Sequence, residues 1–159
     1  MIDLPLMTDP ELQAAMQVFS LLTSPAYLTD FCLYCLQLCR MVKLSLQHGT
    51  SGASAVAFGF WGHVLSRVFR RYDEGYRFAK LACDLVEQHG FIGSQARAYL
   101  SMATVAIWTQ PITTAIDFSR MAFHAVSPIG EVRQSSISSS ALILMDYNWH
   151  GDCHYKGRM

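Results

Sequence analysis

The sequence predicts an all-α fold, a short right-handed α-α solenoid of about seven antiparallel helices in repeats of about 40 residues. Three observations predict it. Gln47-His48-Gly49 recurs as Gln88-His89-Gly90, and Ile129-Gly130 closes a third segment of the same kind, so the glycines at 49, 90 and 130 keep a nearly constant spacing. Each glycine ends a stretch of apolar residues at helical spacing. Strand signals are nearly absent: there is no Asn-Gly hairpin turn and no sustained apolar–polar alternation. A recurrence of this period in a helical chain is the mark of stacked helix pairs, because one pair cannot bury its apolar face alone.

The elements follow in order. Thr8-Asp9-Pro10-Glu11 opens a first helix with a capping side chain, a proline in the first turn and an acid near the positive dipole end. Leu12, Ala15, Met16, Phe19 and Leu22 continue it, and Ser24-Pro25 is expected to end it. Asp30 caps a second helix that runs to His48, with Gly49 as a left-handed stop. A third helix is expected over about 53–70, and Tyr72-Asp73-Glu74-Gly75 opens a fourth that stops at Gly90. Ser94 is the expected cap of a fifth helix, which Pro111 breaks. A sixth runs over about 112–126 and a seventh over about 131–147.

Shifting the chain by one repeat aligns more than the glycines. Ser54-to-Leu65 overlays Ser94-to-Val105, and Gly75, Ala79 and Ala82 overlay Ala115, Ser119 and Ala122. Small residues recur where two helices of a pair approach closely. The expected organisation is one helical repeat domain over 1–148 and a disordered or truncated tail over 149–159.

Charged residues make up 15% of the chain, well below the roughly 25% of an ordinary soluble domain. That scarcity implies exposed apolar surface, which a partner, a neighbouring domain or a second copy normally covers. Twelve basic and twelve acidic residues cancel, a balance that favours neither nucleic acid nor an anionic membrane. The most apolar stretch, 31–46, contains Arg40 and Lys43 and is shorter than the ~20 residues of a membrane span. With no signal-peptide pattern at the start and an odd count of five cysteines, the reading is a cytoplasmic chain with reduced thiols.

Several clusters carry chemistry in principle. Cys32, Cys35 and Cys39 lie on one helix face and are expected in the core, where cysteine behaves as a small apolar residue. His150, Asp152, Cys153 and His154 form the densest set of metal-type ligands, read as chance clustering in a terminal segment with no second shell. Asp73 and Glu74 fit the start of a helix better than an acid–base pair. The serines at 135, 136 and 138–140 have no adjacent base and read as packing residues. Arg67, Arg70 and Arg71 place positive charge at a helix end, where cations stabilise the carbonyl dipole, with a phosphate or acidic-peptide site as the alternative. If the first helix of each pair lines an inner groove, His63, Arg67, Arg97 and Thr104 face it and contact protein ligands. No catalytic residue, cofactor or metal site is assigned.

Trp61-Gly62, followed by Tyr72-Asp73-Glu74-Gly75 and Ala82, resembles a tetratricopeptide-type repeat, with a period nearer 40 than 34 and no proline after the second helix. At larger scale, Leu4-Pro5-Leu6-Met7-Thr8-Asp9-Pro10-Glu11-Leu12-Gln13, Cys39-Arg40-Met41-Val42, Leu44-Ser45-Leu46 and His48-Gly49 look like the helical region of large bacterial signalling proteins. Those proteins join a serine/threonine kinase, an AAA-type or signal-transduction ATPase, a tetratricopeptide-like region and a sensor histidine kinase. The likeness spans most of 4–148. It implies a non-catalytic segment that couples nucleotide-dependent switching to neighbouring domains or partner proteins. The kinase and ATPase motifs themselves find no counterpart in the sequence.

After Gly151-Asp152 helix-pair logic expects another helix, whereas the sequence reads Cys153-His154-Tyr155-Lys156-Gly157-Arg158-Met159. The expectation drawn from this is a truncated product. Three readings of function follow: an interaction and regulatory segment, an orphan fragment without independent activity, or a small metal protein built on the tail cluster.

Overall fold

A computed structural model of the chain describes residues 5–126. The expected seventh helix, the Gly130 stop and the 149–159 tail, with the His150, Asp152, Cys153 and His154 cluster and the serines at 135–140, lie outside the described residues. Within them are six α-helices and no strand: α1 Pro10–Thr29, α2 Phe31–His48, α3 Gly52–Arg67, α4 Tyr72–His89, α5 Ile92–Thr109 and α6 Ile112–Val126.

Most boundaries follow from local chemistry. The Asp9 side chain accepts the Glu11 N–H at 2.9 Å with Pro10 at the first position, and Asp30 accepts the Cys32 N–H at 2.9 Å. Gly90 closes α4 in the left-handed conformation, and the Phe91 N–H donates to the Val86 carbonyl. Gly49 is also at positive φ, +95°, but its ψ is extended, so it is not a left-handed α stop. It serves a close approach instead: a Cβ there would fall 2.6 Å from the Pro5 carbonyl oxygen. The Thr50 N–H donates to that carbonyl and the Met7 N–H to the Thr50 carbonyl, which pins the segment before α1 to the end of α2.

Three expected boundaries are corrected. Pro25 does not end α1, which continues to Thr29. Leu21, whose carbonyl loses its donor to the proline, and Pro25 itself both lie on the solvent side of the helix, where losing that bond costs least. The actual stop is Asp30, whose N–H closes on Ala26 while its side chain starts α2. Ser94 does not cap α5: the helix begins at Ile92 and Ser94 is buried in its first turn. The third helix also ends sooner than expected, at Arg67, with Arg70 at φ 55° in the turn that follows.

Consecutive helices pack on one another from α1 to α6, and α3 also touches α1 and α5. No close backbone approach joins α2 to α4 or α4 to α6. A helix with four neighbours must be thin and buried nearly all round, and α3 is built that way from Ala53, Ala55, Ala57, Gly59 and Gly62 around a fully buried Phe58. The main core joins Phe58 to Leu85, Val86, Met102 and Val105 of α4 and α5, with Ala122 from α6. Two smaller clusters seat α1 and α2 on α3, around Met16 and Met41 and around Tyr34, Leu38 and Val64.

Ala82 is fully buried in that core, and its Cβ would lie 3.4 Å from a Cβ added at Gly59. Ala82→Leu should therefore cost about 1–3 kcal/mol. Thermal melting should show a loss of several degrees. A wild-type melting curve would mean that α3 and α4 do not pack closely at this point.

Candidate functional site

His63, Arg67, Arg97 and Thr104 do not line one open groove. His63 is 3% exposed and Thr104 4%, and the Thr104 hydroxyl donates to the Ser101 carbonyl within its own helix. Arg67 donates to the Tyr27 hydroxyl at 2.7 Å, joining α3 to α1. Arg97 reaches from α5 to α1, donating to the Ser20 carbonyl at 3.1 Å and the Ser20 hydroxyl at 2.8 Å. Burial lowers its pKa, and both contacts, made through Nη1, are to neutral acceptors. The physical reason for the correction is α3 itself. With α1, α2, α4 and α5 packed around it, no face of α3 is left to form the floor of a groove.

His63 is the buried end of an aromatic column whose middle ring is Trp108. It stacks on Trp108 with ring centroids 6.0 Å apart and planes 12° apart, and Tyr72 lies against the same indole at 6.1 Å. Its Nε2 is buried with no hydrogen-bond partner. Burial lowers its pKa from 6.5 to about 4, and the Arg67 guanidinium adds to the shift.

Next to this column is a cleft of about 460 Å³ between the α3–α4 turn and the end of α5. Arg70, Arg71, Tyr72, Asp73, Glu74, Trp108 and Thr109 line it. Arg71 pairs with Glu74, and Asp73 and Glu74 occupy the first turn of α4, as the dipole argument expects. Trp108 and Thr109 went unread in the sequence; their one signal is an aromatic residue placed just before the Pro111 break. The cleft mixes both charge signs, and its aromatic wall already packs against His63.

Cys32 and Cys39 are exposed and Cys35 half-buried, which corrects their expected place in the core. The buried side of α2 is carried by Tyr34, Gln37, Leu38, Met41 and Ser45. Gln37 donates to the Phe19 carbonyl of α1, and Ser45 to the Ser54 hydroxyl of α3 at 2.7 Å. Cys83 is the buried thiol, its pKa pushed up to about 12 chiefly by burial, and its sulfur lies 3.6 Å from the Ala98 carbonyl. Among the described residues no cluster of three or more His, Cys, Asp or Glu side chains is placed to hold a metal ion. None of the described helices is long and apolar enough to cross a membrane.

Among the described residues, large apolar side chains are exposed on the outer helices. Leu21, Leu28 and Leu36 are each about two-thirds exposed, at 67%, 69% and 67%, and on α6 Ile112, Ile116 and Phe123 also face out. These side chains stand on outer helix faces, whereas Arg67, Arg97 and Thr104 form hydrogen bonds within the molecule. No family model matches the chain, and neither the curated proteins nor the solved structures contain a match to it.

Proposed function

We propose that the chain is a non-catalytic interaction and regulatory segment, of the kind that couples neighbouring domains in multidomain signalling ATPase–kinases. The supporting observation is the outer face of α6. Helices α3 and α5 begin at residues 52 and 92, and α4 and α6 at 72 and 112, so two helix pairs recur at one common offset. That recurrence supports reading the fold as a short right-handed solenoid of antiparallel pairs, with α1 and α2 as a further pair. In the α3–α4 pair, Cys83 of α4 is 6% exposed beneath α5. Its counterpart one repeat on, Phe123 of α6, is 64% exposed. A large aromatic residue stands where the preceding pair carries a covered thiol, so this face is suited to receive another element or domain.

The test has two parts. The genome on both sides of the reading frame should encode kinase, ATPase or histidine-kinase sequence. Joined to this chain, the adjacent ATPase should change its hydrolysis rate by at least about twofold, and Phe123→Glu should abolish the change, since a charge in an apolar contact is costly. Unrelated flanking genes, or an ATPase indifferent to the chain, would refute the reading.

A further inference from the structure

The outer face of the α1–α2 pair carries two stripes in the spacing of a helix bundle, apolar but for Lys43 on α2. On α1, Ala14, Val18, Leu21, Pro25 and Leu28 are all exposed and follow one another in alternating steps of four and three. On α2, Cys32, Leu36, Cys39, Lys43 and Leu46 do the same. Steps of four and three keep side chains in register with a neighbouring helix. They lie opposite the buried residues of each helix, Met16, Ser20 and Thr23 on α1 and Tyr34, Leu38 and Met41 on α2. Both helices rest on α3, so the stripes are on the side away from the rest of the molecule.

Charge is divided between the two helices. The exposed charged residues at α1 and its caps are all acidic, Asp9, Glu11 and Asp30, whereas on α2 Arg40 and Lys43 are basic. Asp30 alone separates the helices, and Met7 before α1 bonds Thr50 after α2, so Asp9 and Glu11 share one end of the pair with the basic half of α2. A two-fold axis along the helices would bring α1 of one copy against α2 of the other, with acid facing base at matching ends and stripe facing stripe. Such a contact is self-complementary, as closed symmetry requires. Val18, Leu21, Leu28, Leu36 and Leu46, each more than half exposed, present on the order of 500 Å² of apolar surface. A polar rim brings this to the ~800 Å² per partner of a standard interface.

We infer that the α1–α2 face is the interface of a symmetric dimer, with α1 of each copy packed on α2 of the other to make a four-helix layer. This goes beyond the domain-coupling role placed on α6 and does not depend on it. A lipid surface is the less suited occupant, because interfacial helices carry basic residues beside the apolar face and α1 has none.

Sedimentation of the full chain should show a concentration-dependent dimer. Leu21→Glu and Leu36→Glu should each raise its dissociation constant at least about tenfold while leaving the circular dichroism of the monomer unchanged. A second readout uses the wild type alone: alkylation of Cys32 and Cys39, followed by peptide mass spectrometry, should slow as concentration rises through the dissociation constant. Phe123→Glu should leave both measurements unaltered, which separates this interface from the α6 face. A wild type that stays monomeric at about 100 µM overturns the proposal. So does a dimer that survives both glutamate variants with Cys32 and Cys39 still reactive. Vesicle binding by a monomeric wild type, lost in Leu21→Glu, would assign the face to lipid and equally overturn it.

Discussion

Gly62→Ala should destabilise the chain by about 2 kcal/mol or more, although alanine favours a helix over glycine by about 1 kcal/mol. The reason is where α3 crosses α4. A Cβ on Gly62 would fall 2.5 Å from the Gly75 carbonyl oxygen and 3.1 Å from the Ala79 nitrogen. Both are backbone atoms inside a helix, so neither can move aside without moving the helix. From the other side, a Cβ on Gly75 would fall 2.6 Å from the Gly62 carbonyl oxygen and collide with the Ser66 hydroxyl. Either methyl group forces the helices apart and loosens Phe58, Ala79 and Ala82 in the core beside the crossing.

Gly93 supplies the control. It is also helical, in the first turn of α5, and a Cβ there meets nothing within 4 Å. Gly93→Ala should therefore stabilise the chain, by up to about 1 kcal/mol. Gly90 is equally open but sits at φ +65°, so Gly90→Ala should cost about 1 kcal/mol through its backbone alone. Denaturant melts of the three variants should thus give a large loss, a gain and a moderate loss. A Gly62→Ala protein as stable as the wild type would show that the helices do not cross at these glycines.

These small residues were legible in the sequence because the close helix approach depends on residue size, which the sequence states directly. The same holds for Asp9, Asp30 and Gly90, whose capping roles depend on a few neighbouring residues. What was misread depends on neighbours distant in the chain. α2 carries apolar or thiol side chains all round, so its periodicity did not distinguish the Tyr34–Leu38–Met41 side, which is buried, from the Cys32–Leu36–Cys39 side, which is exposed. Pro25 obeys the local rule for a helix stop, yet its place on the solvent side of α1 removes most of the cost that gives the rule its force. The polar residues of α3 and α5 looked like a groove because polar side chains usually face water. Here Ser20 and Tyr27 of α1 lie over Arg97 and Arg67 and take their hydrogen bonds.

His63 turns that burial into a pH dependence. With a folded pKa of about 4 against 6.5 in the unfolded chain, the imidazole is neutral in the folded protein at pH 7. Between these values the unfolded state binds the proton and the folded state does not, so stability rises with pH across this window. Acidification from 6.5 towards 4 should therefore remove on the order of 3 kcal/mol through this one residue, with no further loss from it below pH 4. Arg67 adds to the effect, because a second positive charge beside its guanidinium is repelled as well as desolvated. The prediction is read as a difference between wild type and His63→Leu. Other titrating groups cancel in that difference, and leucine leaves no buried nitrogen without a partner. The variant should match or exceed the wild type in stability at pH 7, and its advantage should widen by about 3 kcal/mol as the pH falls to 4. Parallel stability–pH curves would show that His63 takes up its proton in the folded chain, and that the column with Trp108 and Tyr72 opens to water.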